Sequence, residues 1–137
     1  MKEPRSLCKM CVLPVLALLL VAGMIFCFST GAFSATVTAQ YFGEYNVIAR
    51  KFAHMSEYAL LFLIGRFALS RVLPRRSTLF HCAAALAVAA LYAATDEWHQ
   101  TFVPDRTGSV VDMYIDWCGA VLGLASFSAY SLLNRTR

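Results

Sequence analysis

Four long apolar stretches run along the chain, each separated from the next by a short polar segment. The first, about Val12 to Phe33, contains no charge. The second, about Phe52 to Val72, carries His54 and Glu57 near its start and Arg66 toward its end. The third, about Thr78 to Tyr92 and on to Thr95, is rich in alanine. The fourth runs from near Val110 to near Leu133, and its purely apolar part begins only at Trp117. A helix needs about 20 mostly apolar residues to cross hydrocarbon. The pattern therefore predicts an all-α fold, an integral membrane bundle of four transmembrane helices. It forms one domain over 12–133, with a flank of 1–11 before it and a tail of 134–137 after it. The sizeable loop, about Ser34 to Tyr45, is expected outside the membrane, with Tyr41, Phe42 and Tyr45 giving it an interfacial character.

Helical spacing sorts the polar residues onto faces. In the fourth stretch Asp112, Asp116, Gly119 and Gly123 follow steps of four, three and four, so they share one face. In the second, His54, Glu57 and Tyr58 share a face with Leu61 and Gly65. In the third, Tyr92, Asp96, His99 and Gln100 do so if the helix continues that far. Packed with these faces inward, the helices direct His54, Glu57, Asp96, Gln100 and Asp112 into one shallow cavity. The alanines at 83, 84, 85, 87, 89 and 90 permit close helix approach, and so does Gly119-x-x-x-Gly123, read as packing within the chain.

Composition strengthens the membrane reading. The 137 residues are 59% hydrophobic and 15% charged, with a mean hydropathy of +0.60, far from a soluble domain. The basic residues Lys2, Arg5 and Lys9, then Arg71, Arg75 and Arg76, then Arg135 and Arg137 fall on one side of a four-span chain. That places both termini in the cytoplasm. The acidic residues gather on the opposite side, where Trp98, Tyr114 and Trp117 match an interfacial aromatic belt. The net charge of +4 follows from these flanks, and no basic stripe suggests a nucleic-acid partner. His81 and Arg66 are expected to snorkel toward the cytoplasmic interface. The first stretch is longer than the 7–15 apolar residues of a signal peptide and is read as an uncleaved span, despite Ala32-Phe33-Ser34 as a weak cleavage site. Cys8-x-x-Cys11 has redox spacing without a supporting fold, and Cys27, Cys82 and Cys118 read as packing residues.

A charge inside hydrocarbon is costly, so polar groups there are usually functional and partnered. His54-x-x-Glu57 can ligate a metal or transfer protons. Metal sites in bundles normally use more His and Glu-x-x-His repeats than this, so no metal and no cofactor is expected, with a divalent metal as the alternative. Asp96 shares the cavity face with Gln100, whereas Glu97 points elsewhere and is matched to Arg106 or Lys51. Arg106 can clamp a phosphate or carboxylate. Ser109 and Asp112 have the spacing of a capping box, which leaves Asp116, one turn deeper, without a local structural role. No nucleophile elbow supports Ser-His-Asp catalysis.

Two motifs carry a family resemblance. Arg50-Lys51-x-x-His54-x-x-Glu57-Tyr58 is the first. The second is Asp96-Glu97-x-His99-Gln100-x-Phe102-x-Pro104-x-Arg106-x-Gly108-Ser109-x-x-Asp112-x-x-x-Asp116-x-x-Gly119-x-x-x-Gly123. Together they resemble the signature of VanZ-like membrane proteins over about Arg50 to Gly123. Asp105 stands where that family generally has glycine, and Met55 where it usually has phenylalanine. The resemblance implies a small multi-pass protein of the bacterial cytoplasmic (inner) membrane, in a family whose name member is associated with teicoplanin resistance. Its matching polar positions are Lys51, His54, Glu57, Tyr58, Asp96, Glu97, Gln100, Arg106 and Asp112, with Asp116 less uniform.

The expected function is binding or modification of a cell-envelope component, lipid-linked or peptidoglycan-related, at an outward-facing polar site. As an enzyme it would be an acid/base-assisted hydrolase or transferase with His54, Glu57, Asp96 and Asp112 catalytic. Lys51, Tyr58, Glu97, Gln100, Arg106 and Asp116 would bind substrate. The alternative is a non-enzymatic accessory protein whose polar cluster is a structural and recognition network. The expected partners are the lipid bilayer and that envelope ligand.

Overall fold

A computed structural model of the chain describes residues 4–30, 35–104 and 106–135. The Ala32-Phe33-Ser34 motif, Asp105 and Arg137 lie outside the described residues, as do the side chains of Arg5, Cys8, Lys9 and Arg135. Five α-helices follow one another: α1 Pro4–Ser29, α2 Ala35–Phe42, α3 Asn46–Val72, α4 Thr78–Gln100 and α5 Val110–Arg135. A short 3₁₀ turn, Gly43–Tyr45, joins α2 to α3. Four of the helices are long and apolar enough to cross a membrane, and the chain is an all-α, multi-pass membrane protein.

The segment expected to be an interfacial loop is largely helical. α2 covers most of it, and Gly43 with φ +53° turns the chain into α3, a conformation that costs glycine little. The Asn46 side-chain amide donates to the Gly43 carbonyl at 2.8 Å and secures this turn. As a result α3 begins six residues before Phe52. Arg50 and Lys51 lower the local hydropathy without interrupting the helix.

α3 is the hub and packs against α1, α2, α4 and α5. The core joins Val21 and Ile25 of α1, Tyr58, Leu61 and Phe62 of α3, Cys82, Ala85, Ala89 and Ala93 of α4, and Ala120 of α5. Ala85, Ala89 and Ala93 recur every four residues, which makes one smooth stripe that admits the larger α3 side chains. Of the alanines named from the sequence, Ala85 and Ala89 are on this stripe, whereas Ala83 and Ala87 are exposed. The outward faces carry Leu13, Leu19, Leu91, Leu132 and Leu133, as lipid contact requires.

α5 reaches α3 through its glycines. A Cβ on Gly119 would collide with the backbone carbonyl of Met55, and one on Gly123 with the carbonyl of Ala59. The two glycines, one helical turn apart, thus lie on two α3 carbonyls one turn apart. This sets the register of α5 on α3 and carries Asp112 and Asp116 to the level of Lys51 and His54.

At the end of the bundle that holds the α3–α4 turn, the Ser77 hydroxyl caps α4 by accepting from Phe80 N at 3.2 Å. Cys11 Sγ donates to the Arg71 carbonyl at 3.2 Å. His81 does not snorkel there. It is buried, and its Nε2 lies 3.0 Å from the Leu73 carbonyl, which also accepts from Arg76 N at 3.0 Å in the turn after α3. Arg66 stacks on the Phe127 ring at 3.8 Å.

Candidate functional site

The polar residues collect at the other end, where α3 and α5 start and α4 stops. α4 runs on to Gln100, so Asp96, Glu97 and Gln100 are all helical. Gln100 donates through Nε2 to Asp96 Oδ2 at 3.1 Å and to Glu97 Oε1 at 3.4 Å. Asp96, Glu97 and Gln100 are all buried.

The loop after α4 brings α5 back against it. Gly108 makes this possible, because a Cβ there would strike the Glu97 carbonyl. Ser109 then caps α5, its hydroxyl accepting from Val111 N at 3.2 Å. In a capping box the acidic residue three positions on accepts the N–H of the cap residue. Here that role passes to the neighbouring helix: Ser109 N donates to Glu97 Oε2 at 2.6 Å. Asp112 is thereby released to pair with Lys51 at 3.2 Å, both half-exposed at the rim.

Beneath that rim lies Asp116, only 1% exposed. Its Oδ1 is 3.8 Å from His54 Nδ1, and Glu57 Oε2 is 4.0 Å from the same nitrogen. Ligating atoms of His54, Asp96 and Asp116, one each from α3, α4 and α5, lie within 4.8 Å of one another. The cavity expected from sequence to hold Asp112 with His54 does so, with Asp112 at its half-exposed rim and Asp116 buried beneath. Tyr58 is fully buried and packs toward Tyr92, with ring centroids 6.4 Å apart. It lies in the core and lines neither cleft described below.

Among the described loop residues of the motif, Arg106 is the buried one. Its Nη2 donates to the carbonyls of Phe28 at 2.7 Å and Thr30 at 3.3 Å. These carbonyls end α1, so a positive group there also meets the negative pole of that helix. Burial lowers the pKa of Arg106, with Arg50 acting in the same direction and Asp96 and Glu97 against it.

Two clefts open around these side chains. One, of about 80 Å³, is polar and is lined by Arg50, Lys51, His54, Gln100, Arg106 and Asp116 among others. The other, of about 200 Å³, is a mostly apolar groove formed by Phe28, Thr38, Phe42, Ala49 and Ala53, with Glu57. Arg50, His54 and Arg106 belong to both. Arg50 appears in the motif but not among the site residues expected from sequence. Only the arrangement of both clefts around it draws attention to it. Phe28, Thr38 and Phe42 come from α1 and α2, where helical spacing and polarity carried no signal.

A family model described as VanZ/LLP1 matches residues 14–133. The chain belongs to the VanZ/LLP1 family. The match extends the resemblance seen over 50–123 to the part of α1 from residue 14 onward and to most of α5. No curated protein and no solved structure matches the chain.

Proposed function

We propose that this VanZ/LLP1 protein binds an anionic amphiphile of the bacterial cell envelope at the outer face of the cytoplasmic membrane. The observation that carries this reading is the junction of the two clefts. An apolar groove and a polar cleft share Arg50, His54 and Arg106. A lipid-linked envelope component has the same two parts, an apolar chain and a polar, usually phosphate-bearing head. Guanidinium groups suit phosphate through paired, charge-assisted hydrogen bonds. The chain would lie along Phe28, Phe42 and Ala53, and the head against Arg50, Arg106 and His54.

The outward placement follows from Arg71, Arg75 and Arg76 at the opposite end, since basic loops remain in the cytoplasm. A connection to glycopeptide resistance would then arise through the availability of an envelope precursor. If the bound component is also modified, His54 and Glu57 are placed for proton transfer, Asp96 and Asp116 for orienting His54, and Asp112 only for shaping the rim. The accessory-protein alternative uses the same clefts without a reaction. A purely structural lock is less well supported, because buried oxygens of Asp96 and Asp116 have no hydrogen-bond partner among the described residues.

The test uses full-length protein in nanodiscs and a lipid panel: a polyprenyl phosphate, phosphatidylglycerol and a zwitterionic lipid. The account expects saturable binding of the polyprenyl phosphate, strong weakening in R50A/R106A, and loss of any turnover in H54A, E57A and D96A. Equal binding of all three lipids, unchanged in R50A/R106A, would overturn it.

A further inference from the structure

We propose that His54, Asp96 and Asp116 form a divalent-cation site at the floor of the polar cleft. Its role depends on the function proposed above, whereas its geometry does not. Each ligand comes from a different helix, and their ligating atoms lie within 4.8 Å of one another. A cation bound at about 2.1 Å from each needs its ligand atoms roughly 3–3.5 Å apart. The trio is therefore open by an ångström or so, within the reach of a side-chain rotation.

These side chains hold buried polar atoms with hydrogen-bonding capacity that the described residues do not fill. Asp116 is 1% exposed and Asp96 is 4% exposed. Neither Asp116 oxygen, nor Asp96 Oδ1, nor His54 Nδ1 has a hydrogen-bond partner among the described residues. Buried carboxylates of native proteins are satisfied by partners or metals. The other oxygen of Asp96 is held by Gln100 at 3.1 Å, as a metal-binding carboxylate is commonly oriented by a further hydrogen bond. Glu57 Oε2, also unbonded and 4.0 Å from His54 Nδ1, stands beside the trio as a further donor.

Glu57, Asp96, Glu97 and Asp116 gather carboxylate oxygens around His54, a donor set that favours a cation. Imidazole with carboxylates suits Mn²⁺, Fe²⁺ or Zn²⁺ better than an all-oxygen ion such as Ca²⁺. His54 and Asp116 also line the polar cleft, so the open side of the ion would face the head of a bound amphiphile.

Mn²⁺ is the probe of choice, because the five cysteines of the chain compete for it far less than for Zn²⁺. Full-length protein is stripped with a chelator in detergent and titrated with Mn²⁺, followed by electron paramagnetic resonance and thermal unfolding. One saturable Mn²⁺ per chain is expected, with an imidazole-nitrogen coupling that disappears in H54Q. Loss of an oriented outer partner alone weakens metal sites by up to about 100-fold. D96N and D116N, which remove ligands outright, should therefore weaken binding by at least about 100-fold, whereas D112N should leave it unchanged. D96N, D116N and H54Q alter three different helices, so one misfolded variant leaves the others to decide. No saturable binding by the wild type, or equal weakening by D112N and D116N, overturns the site. Loss of Mn²⁺ binding with lipid binding intact removes this inference alone. Loss of lipid binding with the Mn²⁺ site intact removes only the function proposed above.

Discussion

Glu97 at the end of α4 accepts the backbone N–H of Ser109 at 2.6 Å, at the residue whose hydroxyl caps the first turn of α5. One acidic side chain thus supplies a capping interaction to the next helix and ties the two helix ends together. Glu97 and Ser109 are both motif residues, yet neither needs to touch a ligand to matter. E97Q keeps the shape but loses the charge-assisted bond, and should cost about 1.5–3 kcal/mol. S109A should cost about 1 kcal/mol. Equilibrium unfolding in mixed micelles measures both, and E97Q is expected to be the larger loss.

The register of α5 on α3 depends on glycine at 119. G119A pushes a methyl group into the Met55 carbonyl, and overpacking of this kind costs about 1–3 kcal/mol. G23A is the control, since nothing lies within 4 Å of its new Cβ. G119A should lower the thermal midpoint and disturb the site by moving Asp116 away from His54, while G23A leaves both unchanged. Equal behaviour of the two variants would contradict the packing described for α5.

The rim ion pair behaves differently. Lys51 and Asp112 are 3.2 Å apart but half-exposed, so their coupling should be only about 0–1 kcal/mol. A double-mutant cycle with K51A and D112A, run at low and high salt, should give a small coupling that shrinks with salt. A coupling of several kcal/mol would mean the pair is far more enclosed than its exposure indicates.

Membrane orientation has its own test. In a cysteine-free background, E44C should react with an impermeant thiol reagent added to intact cells, and R76C only after the cells are opened. The reverse pattern would place the polar cleft in the cytoplasm and end the proposal of an outward-facing site.

Much of this molecule is legible in its sequence, for identifiable reasons. The spans stand out because hydrocarbon demands length and apolarity. Asp116 stands out because it shares a face with Gly119 and Gly123 and has no local structural role. Depth is what periodicity does not encode. The sequence places Asp112 and Asp116 on one face, but their distance from His54 depends on how far α5 slides along α3, and the Gly119–Met55 and Gly123–Ala59 contacts set that. The handover of the capping role from Asp112 to Glu97 is equally invisible, because the partner lies on another helix. α2 was expected as loop because Thr36, Thr38 and Gln40 interrupt its apolar residues, and with it the groove wall at Thr38 and Phe42 was missed.

Photocrosslinking of a polyprenyl phosphate that carries a diazirine in its apolar chain tests the central claim most directly, with labelled peptides mapped by mass spectrometry. The account predicts label concentrated on Phe28, Phe42, Ala49 and Ala53, suppressed by unlabelled polyprenyl phosphate and by R50A/R106A. Label spread evenly over the lipid-facing Leu13, Leu91 and Leu132, with no effect of competitor or of the arginines, would contradict it.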